Sequence, residues 1–391
     1  MTPLQEIVDL SRRYGEGTDW VIAGGGNTSV KDGESMWIKA SGTTLEGIDE
    51  SGFVHMDRRA LAALWERPYP ADPDRREQRA LADLLASRGD GDATARPSVE
   101  TLMHALFPHR IVCHTHPARV NGITCARDGR EATRSLLGSD TAWMPTVNPG
   151  YTLAQELRDR IEAWRTAHEG RWPAAVVMQN HGLVVAGETA EEVHAANRRI
   201  HRIVTTATRR TPTLAPEERD TPPLRELAEA VTEGYREAET GYGNPSPMLQ
   251  STAFTNPELL RRAGSRSSFA PLLGALTPDH IVYSGHRPCF VPLTAPQAPA
   301  PSIRKAVVDA VRQFRSREGA LPKIIVVQGR GAVAVTTTEK RSTYARLLFL
   351  DALKIACYAE SFGGVAPMPE DQVEFIRNWE VERFRERRST T

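Results

Sequence analysis

The stretch Arg110-Ile111-Val112-Cys113-His114-Thr115-His116-Pro117 joins an apolar, β-branched run to two histidines that flank a single threonine. Such runs are typical of buried strands, so the stretch predicts a strand that ends near the histidines. Successive side chains of a strand point to opposite faces, so His114 and His116 are expected on the same face. Two imidazoles placed in this way can bind one metal ion. For this motif alone, two unconnected, hydrogen-bonded histidines are an equally good interpretation.

A third histidine lies in Asn180-His181-Gly182, between two apolar runs that predict a strand, a tight turn and a second strand. A catalytic zinc site usually has three protein ligands and one open coordination position, and three neutral histidine nitrogens can be those ligands. Glu100 adds a carboxylate that can serve as a fourth ligand or a general base. The alternative for Glu100 is a solvated charge in the first turn of a helix.

That helix is predicted to follow Pro97. Ser98 is its expected N-cap, and its apolar positions recur with helical spacing at Val99, Leu102, Met103 and Leu106. His104 would share a polar face with Glu100, four residues away, and a structural role is expected for it.

Composition indicates a globular protein of one large or two smaller domains, with 391 residues of which 40% are hydrophobic. Lysine and arginine together number 49, as do aspartate and glutamate, so no excess charge points to nucleic acid or a membrane surface. The four cysteines form no C-x-x-C motif and predict no disulfide framework. Because no apolar run reaches the length of a membrane span, a cytoplasmic protein is expected.

Two glycine segments are candidate phosphate loops, Gly24-Gly25-Gly26 and Ser41-Gly42-Thr43. Such loops expose backbone N–H groups, and Lys39 would add a positive charge. Each loop alone is a weak signal, since most glycine-rich turns are only turns. Residues 20–23 are predicted to form a strand before the first loop. The segment Gly329-x-Gly331-x-x-Ala334 is not a dinucleotide fingerprint, because a strand rather than a helix follows it.

The second half of the chain contains a segment that is similar to one in the first half. Residues 324–335 repeat the pattern of residues 175–186 at a fixed offset of 149. Such self-similarity favours a duplicated unit, although chance similarity of two β-turn-β-α units is the alternative. Arg330 stands where His181 would be, and arginine offers no lone pair to a cation. We therefore predict a metal-binding domain over residues 1–210 and a degenerate repeat or packing domain over 225–391.

Five motifs in order resemble the class II aldolase/adducin family over roughly residues 1–207: Gly25-Gly26-Asn27-Thr28-Ser29, Lys39-Ala40-Ser41-Gly42-Thr43, Pro97-Ser98-Val99-Glu100-Thr101, His114-Thr115-His116-Pro117 and Asn180-His181-Gly182-Leu183. Two of them, Ser-Val-Glu-Thr and His-Thr-His-Pro, look most like the aldolase part of long rhamnulose-1-phosphate aldolases that are fused to a dehydrogenase.

The resemblance implies an α/β fold. It is a three-layer α/β/α domain with a mostly antiparallel central sheet, followed here by the related, metal-dead C-terminal α/β unit. It implies Zn2+, with Mn2+, Fe2+ or Co2+ as alternatives, on His114, His116 and His181, and a homo-oligomer. Glu100 matches the family's acid–base glutamate. The positions that match the family's phosphate-binding residues are Asn27, Ser29, Ser41, Gly42 and Ser98.

The implied reaction is reversible cleavage of a ketose 1-phosphate to dihydroxyacetone phosphate and an aldehyde. A decarboxylase or epimerase that uses the same metal site is the alternative, and a non-catalytic adducin-like module ranks below both. Val99 departs from the family, because some members have a second phosphate-binding serine there.

The acid that exchanges a proton with the aldehyde oxygen is not identified by the sequence. The fuculose-phosphate branch has a tyrosine acid after its His-x-His strand, but residues 117–149 contain no tyrosine. The remaining candidates are Tyr235, Tyr242, Tyr283 or a water molecule. We also hypothesise that the repeated unit takes the place of a neighbouring subunit, with Arg330 or Arg341 facing a substrate anion.

Overall fold

The structure, a computed structural model, describes residues 2–90, 94–240, 248–295 and 298–390 of the chain. Its first half builds a sheet from β1 (Asn27–Asp32), β2 (Ser35–Lys39), β3 (Phe53–Asp57), β4 (Ile111–Thr115), β5 (Thr141–Met144), β6 (Ala175–Met178) and β7 (Gly182–Gly187). Within the described ranges the strand order is β3-β2-β1-β4-β7-β6-β5. All neighbours are antiparallel except β5 and β6. The mostly antiparallel sheet is thus confirmed.

Helices cover both faces of this sheet. They are α1 (Pro3–Gly15), α2 (Arg58–Ala63), α3 (Pro73–Ala86), α4 (Thr101–Leu106), α5 (Ala118–Thr124), α6 (Gly129–Leu137), α7 (Tyr151–Ala167) and α8 (Ala190–Ala207). Ile111 and Cys113 of β4 pack in one apolar cluster with α1 and α8. Val112, which points to the opposite face, packs in another cluster with α7. The three-layer α/β/α arrangement is confirmed, and the alternation places His114 on the side of α4 and α7.

Two local predictions are wrong. Residues 20–23 form no strand; the segment is a loop in which the Trp20 carbonyl accepts a hydrogen bond from His116 N (2.9 Å). Its apolar character reflects burial rather than sheet pairing, since Val21 and Ile22 are both buried.

Helix α4 begins at Thr101, with Glu100 rather than Ser98 as its N-cap. The chain stays extended through Ser98 because Ser98 N donates to the Lys39 carbonyl (3.2 Å).

The second half forms a smaller sheet of β8 (Gln250–Phe254), β9 (Cys289–Val291), β10 (Ile324–Val327) and β11 (Gly331–Thr336). Its helices are α9 (Pro222–Thr240), α10 (Pro257–Arg262), α11 (Arg266–Phe269), α12 (Ala300–Glu318), α13 (Glu339–Ala359), α14 (Glu370–Asn378) and α15 (Glu380–Thr390). In the described part of the chain the strand order is β8-β11-β10-β9.

This sheet repeats the β4-β7-β6-β5 part of the first one. The bounds of β10, β11 and the start of α13 match those of β6, β7 and α8 at the offset of 149 residues. The strands β9 and β10 are parallel, as β5 and β6 are. Asn180 and its counterpart Gly329 both have positive φ, +53° and +65°. The structure therefore agrees with duplication rather than a chance likeness of short motifs.

The register identifies the counterparts of the three histidines. Leu183 pairs with Thr115, and its counterpart Ala332 pairs with Phe254. The positions equivalent to His114, His116 and His181 are therefore Ala253, Thr255 and Arg330. None of these three side chains is a good ligand for a divalent metal ion, so the C-terminal unit is a related, metal-dead copy.

The two units share a buried interface. Helix α13 of the second unit packs against α5 of the first through an apolar cluster that includes Ala118, Cys125, Ile355 and Tyr358. All four cysteines are buried and form no disulfide bond. None of the helices in the described ranges has the length and apolarity that a membrane crossing needs.

Candidate metal centre

Three histidine rings meet where β4 ends and β7 begins. His116 Nε2 lies 2.8 Å from His114 Nε2, which lies 3.3 Å from His181 Nε2. The ligand atoms all lie within 4.8 Å of one another. Within the described ranges, no other group of three histidine, cysteine, aspartate or glutamate side chains is arranged to hold an ion. The common face expected for His114 and His116 is thus observed.

The outer ring nitrogens define which atoms face the centre. His114 Nδ1 donates to the Leu183 carbonyl (3.1 Å), and His116 Nδ1 donates to Asp279 Oδ2 (2.6 Å). With Nδ1 of both rings donating outward, the two Nε2 atoms are the ones that face each other. Burial, the largest influence, holds the pKa of His114 well below its usual value and keeps the ring neutral.

Glu100 completes the cluster. Its Oε1 lies 3.2 Å from His181 Nε2 and 3.6 Å from His114 Nε2, while Asn27 Nδ2 donates to Oε2 (2.6 Å). Burial alone would raise the pKa of Glu100, but His114 and His181 hold it well below its usual value. The sequence alternative of a solvated charge is wrong, since Glu100 is only 7% exposed.

A divalent cation fits this donor set. The three histidines offer ring nitrogens that all lie within 4.8 Å of one another, close enough to bind one ion. Glu100 Oε1 is buried and receives no hydrogen bond from the described part of the chain, which leaves a further lone pair for an ion. Three neutral imidazoles and one carboxylate are ligands that Zn2+ accepts, and Mn2+, Fe2+ and Co2+ accept them as well.

Four of the five residues expected at the phosphate line one cavity beside the histidines: Asn27, Ser41, Gly42 and Ser98. Ser29 does not; it is fully buried behind Asn27, and its Oγ lies 2.8 Å from His104 Nδ1. The expectation that Ser29 contacts phosphate is therefore wrong. Its side chain points the same way as Asn27 but lies one pleat deeper, which spacing alone does not reveal.

His104 supports the site from behind, as a structural residue. Its Nε2 makes a short hydrogen bond to Asn27 Oδ1, so it orients the amide that holds Glu100. His104 is therefore connected to Glu100 through Asn27. Burial lowers the pKa of His104 to about 3, which keeps the ring neutral.

Lys39 supplies a cation beneath the glycine loop. Its Nζ donates to the carbonyls of Gly24 (3.0 Å) and Thr43 (2.6 Å). Burial, helped by nearby Arg385, lowers the pKa of Lys39 to about 7, although Asp279 and Glu100 oppose the shift.

Three further residues, all from the second unit, were missed by sequence reasoning. Asp279 binds His116, Arg385 donates to Asp279, and Arg385 Nη1 also donates to Glu382 Oε2 (3.1 Å). Arg385 and Glu382 line the cavity. Residues 380–388 form a highly charged run whose composition is that of a solvated helix, so no local signal marks them.

Residues 5–208 match the sequence model of the family described as Class II Aldolase and Adducin N-terminal domain. The chain belongs to the class II aldolase/adducin family. The protein named Uncharacterized oxidoreductase YuxG, from Bacillus subtilis (strain 168), is 24% identical to it over 424 aligned residues, which cover 98% of this chain. The chain spans 58% of the length of that curated relative.

Two solved structures are also similar. The N-terminal class II aldolase domain of a conserved protein from Thermoplasma acidophilum is 27% identical, with a TM-score of 0.45; the match covers 52% of this chain and 93% of that one. The L-fuculose-1-phosphate aldolase from Thermus thermophilus is 14% identical, with a TM-score of 0.33; the match covers 52% and 92% of the two chains.

In this class II aldolase/adducin family member, the second unit reaches the histidine cluster by a different route from the one hypothesised. Neither Arg330 nor Arg341 is among the described residues that line the cavity. Arg341 instead lines a separate cavity with Tyr235 and Lys323. The hypothesis that Arg330 or Arg341 faces a substrate anion is therefore wrong, whereas the approach of the second unit to His116 is observed.

The described tyrosine candidates, Tyr235 and Tyr283, are not among the residues that line the cavity of this family member. Tyr235 lies in the separate cavity, and Tyr283, whose hydroxyl accepts from Gly24 N (3.2 Å), is buried behind the glycine segment. Tyr242 lies outside the described residues.

Proposed function

We propose that the protein is a divalent-metal-dependent aldolase, with Zn2+ as the expected ion. It would catalyse reversible cleavage of a ketose 1-phosphate to dihydroxyacetone phosphate and an aldehyde. The observation that carries this proposal is that Glu100 joins the cluster of His114, His116 and His181, and that this cluster opens through His116, His181 and Glu100 into one cavity with the Ser41-Gly42 loop. Family membership supports the reaction class.

Glu100 is the proposed base in the condensation direction, where it removes a proton from the hydroxymethyl carbon of dihydroxyacetone phosphate. Its carboxylate is held by Asn27 and is stable in the charged form next to the histidines. A divalent ion bound at the three histidines would stabilise the negative charge that develops on the substrate oxygens. Positioned general bases contribute roughly 10²- to 10⁴-fold to a rate.

The substrate phosphate is proposed to bind at Ser41, Gly42 and Ser98. Gly42 has φ +83°, which a glycine adopts without strain. The hydroxyls of Ser41 and Ser98 add donors, and Lys39 beneath the loop adds positive charge when protonated. Val99 also lines the cavity and offers no donor, so this phosphate site has fewer hydroxyls than those of some relatives.

The test is carbon–carbon bond formation. The full chain, stripped with a chelator and reloaded with Zn2+, Mn2+ or Co2+, is incubated with dihydroxyacetone phosphate and glycolaldehyde or lactaldehyde, and products are followed by NMR. Formation of a ketose 1-phosphate that requires metal supports the proposal. Absence of any condensation product with every metal would refute it and would favour a decarboxylase or epimerase at the same site.

A further inference from the structure

Helix α15 forms one wall of the cavity that contains the metal centre. Arg96 on the rim lies 3.4 Å from Glu380 and stacks over the ring of Phe384 at 4.1 Å. A side chain at Gly42 would collide with Arg388, so the helix lies directly on the glycine loop. These contacts seat α15 so that Val381, Glu382 and Arg385 line the same cavity as His116, His181 and Glu100.

Glu382 is a second carboxyl group in this enclosed space. It is only 4% exposed, and Arg385 Nη1 donates to it. Arg385 is itself held by Asp279, which binds His116. One chain of charged contacts therefore fixes the position of Glu382 relative to the histidines. Because so little of the Glu382 side chain is exposed, few solvent molecules reach the carboxyl.

Glu382 lines the same cavity as Glu100, the proposed base, and its surroundings favour the protonated form. Burial raises the pKa of Glu382, and the nearby carboxylates Asp279 and Glu100 add to the rise, while Arg385 and His181 oppose it. A carboxyl that stays protonated in a buried site can act as a general acid.

We propose that Glu382 is the general acid that the aldol reaction requires, an inference that rests on the proposed function. In condensation, the enediolate carbon of dihydroxyacetone phosphate forms a bond to the aldehyde carbon. The π electron pair of the aldehyde moves to its oxygen, which takes the proton from the Glu382 carboxyl. In cleavage, the Glu382 carboxylate removes that hydroxyl proton, the carbon–carbon bond breaks and its electron pair returns to the enediolate.

This assignment gives the second unit a catalytic role. Its copy of the metal site is lost, but its last helix supplies the acid, and Arg385 acts as a positioning residue for Glu382. The described tyrosines proposed from sequence, Tyr235 and Tyr283, do not line the cavity, whereas Glu382 does.

The test separates two half-reactions. Exchange of the hydroxymethyl hydrogen of dihydroxyacetone phosphate with D2O needs the base but no aldehyde, whereas condensation also needs the acid. For Glu382→Gln, which keeps an oxygen for Arg385, we expect exchange within about threefold of the wild-type rate. Condensation should fall by roughly 10²-fold or more. The control is Glu374→Gln, the same chemical change at an exposed side chain of α14, which should retain both activities.

Two results would overturn the assignment: condensation by Glu382→Gln at the wild-type rate, or equal loss of exchange and condensation in a folded, metal-loaded variant. If Glu382→Gln does not fold, Glu382→Asp keeps an acid of shorter reach and must slow condensation more than exchange; equal slowing refutes the proposal. Failure of the wild-type protein in both half-reactions would instead refute the proposed function.

Discussion

His116 Nδ1 lies 2.6 Å from Asp279 Oδ2, so a histidine of the first unit is oriented by a carboxylate of the second. Both side chains are nearly inaccessible, at 8% and 4% exposure. The hydrogen bond fixes the tautomer of His116 and directs its Nε2 lone pair to the cluster. Gly25 permits the pairing, because a Cβ there would approach both Asp279 and His116. The proposed metal centre therefore depends on both units of one chain.

Asp279→Asn should weaken metal binding by about 10- to 100-fold, because the loss of charge behind His116 lowers the basicity of that ring. Competition with a chromophoric chelator measures the affinity. The matched control is Glu318→Gln, which alters a carboxylate–histidine pair at His286, away from the cavity. Wild-type affinity in Asp279→Asn would show that the contact does not support the ligand.

Inactive variants of the two units should not rescue each other. Because Glu382 and His116 line the same cavity of one chain, a hetero-oligomer of His116→Ala and Glu382→Gln chains still lacks an intact site. Co-expression with two affinity tags isolates such mixed assemblies, and their condensation rate should equal that of the separate variants. Recovery of a substantial fraction of wild-type activity would mean that sites are shared between chains.

Gly42→Ala should disturb α15, whereas Gly33→Ala should not. Both glycines have positive φ, so each alanine costs about 1–2 kcal/mol in backbone strain. Only at Gly42 does the added Cβ meet a helix, through Arg388; at Gly33 nothing lies within 4 Å. Limited proteolysis should therefore cleave α15 faster in Gly42→Ala than in Gly33→Ala. Equal cleavage rates would contradict the seating of α15 on the loop.

Lys39 should make stability depend on pH above neutrality. Its pKa falls from 10.5 to about 7 in the folded protein, chiefly through burial. Between these two pKa values the unfolded chain binds more protons at Lys39 than the folded chain does. The free energy of unfolding therefore rises with pH across this window, and this stability is lost as the pH falls towards 7.

Urea unfolding at pH 7 and pH 9 measures this effect. From pH 7 to pH 9 the free energy of unfolding should rise more in the wild-type protein than in Lys39→Met. The difference should be up to about 1 kcal/mol per pH unit. Lys305→Met, at an exposed position of α12, should behave like the wild type. An identical pH response in Lys39→Met would refute the shift.

Local sequence signals predicted the parts of the site that lie on regular elements. The alternation of β4 predicted that His114 and His116 share one face, and the pattern around His181 predicted a turn between two strands. The 149-residue offset predicted that residues 324–335 repeat the pattern of residues 175–186, and β10 and β11 are found there. Those signals worked because strand period and turn chemistry are local properties.

The residues that escaped prediction depend on how distant elements pack. Asp279 precedes a π-helical turn at His280–Ser284, and its distance to His116 is set by the packing of the two units. Glu382 and Arg385 stand in a run of charges that is ordinary for an exposed helix. The prediction for Ser29 was wrong although Ser29, two residues after Asn27, lies on the same face of β1. How far the cavity extends along that face depends on the packed structure.

The most direct test of the proposed aldolase chemistry is hydrogen exchange of dihydroxyacetone phosphate in D2O, followed by proton NMR without any aldehyde. The metal-loaded wild type should replace one of the two hydroxymethyl hydrogens with deuterium. Chelation should abolish that exchange, and Glu100→Gln should slow it by roughly 10²-fold or more. No exchange by the metal-loaded wild type, or exchange by Glu100→Gln at the wild-type rate, would contradict the assignment of this site.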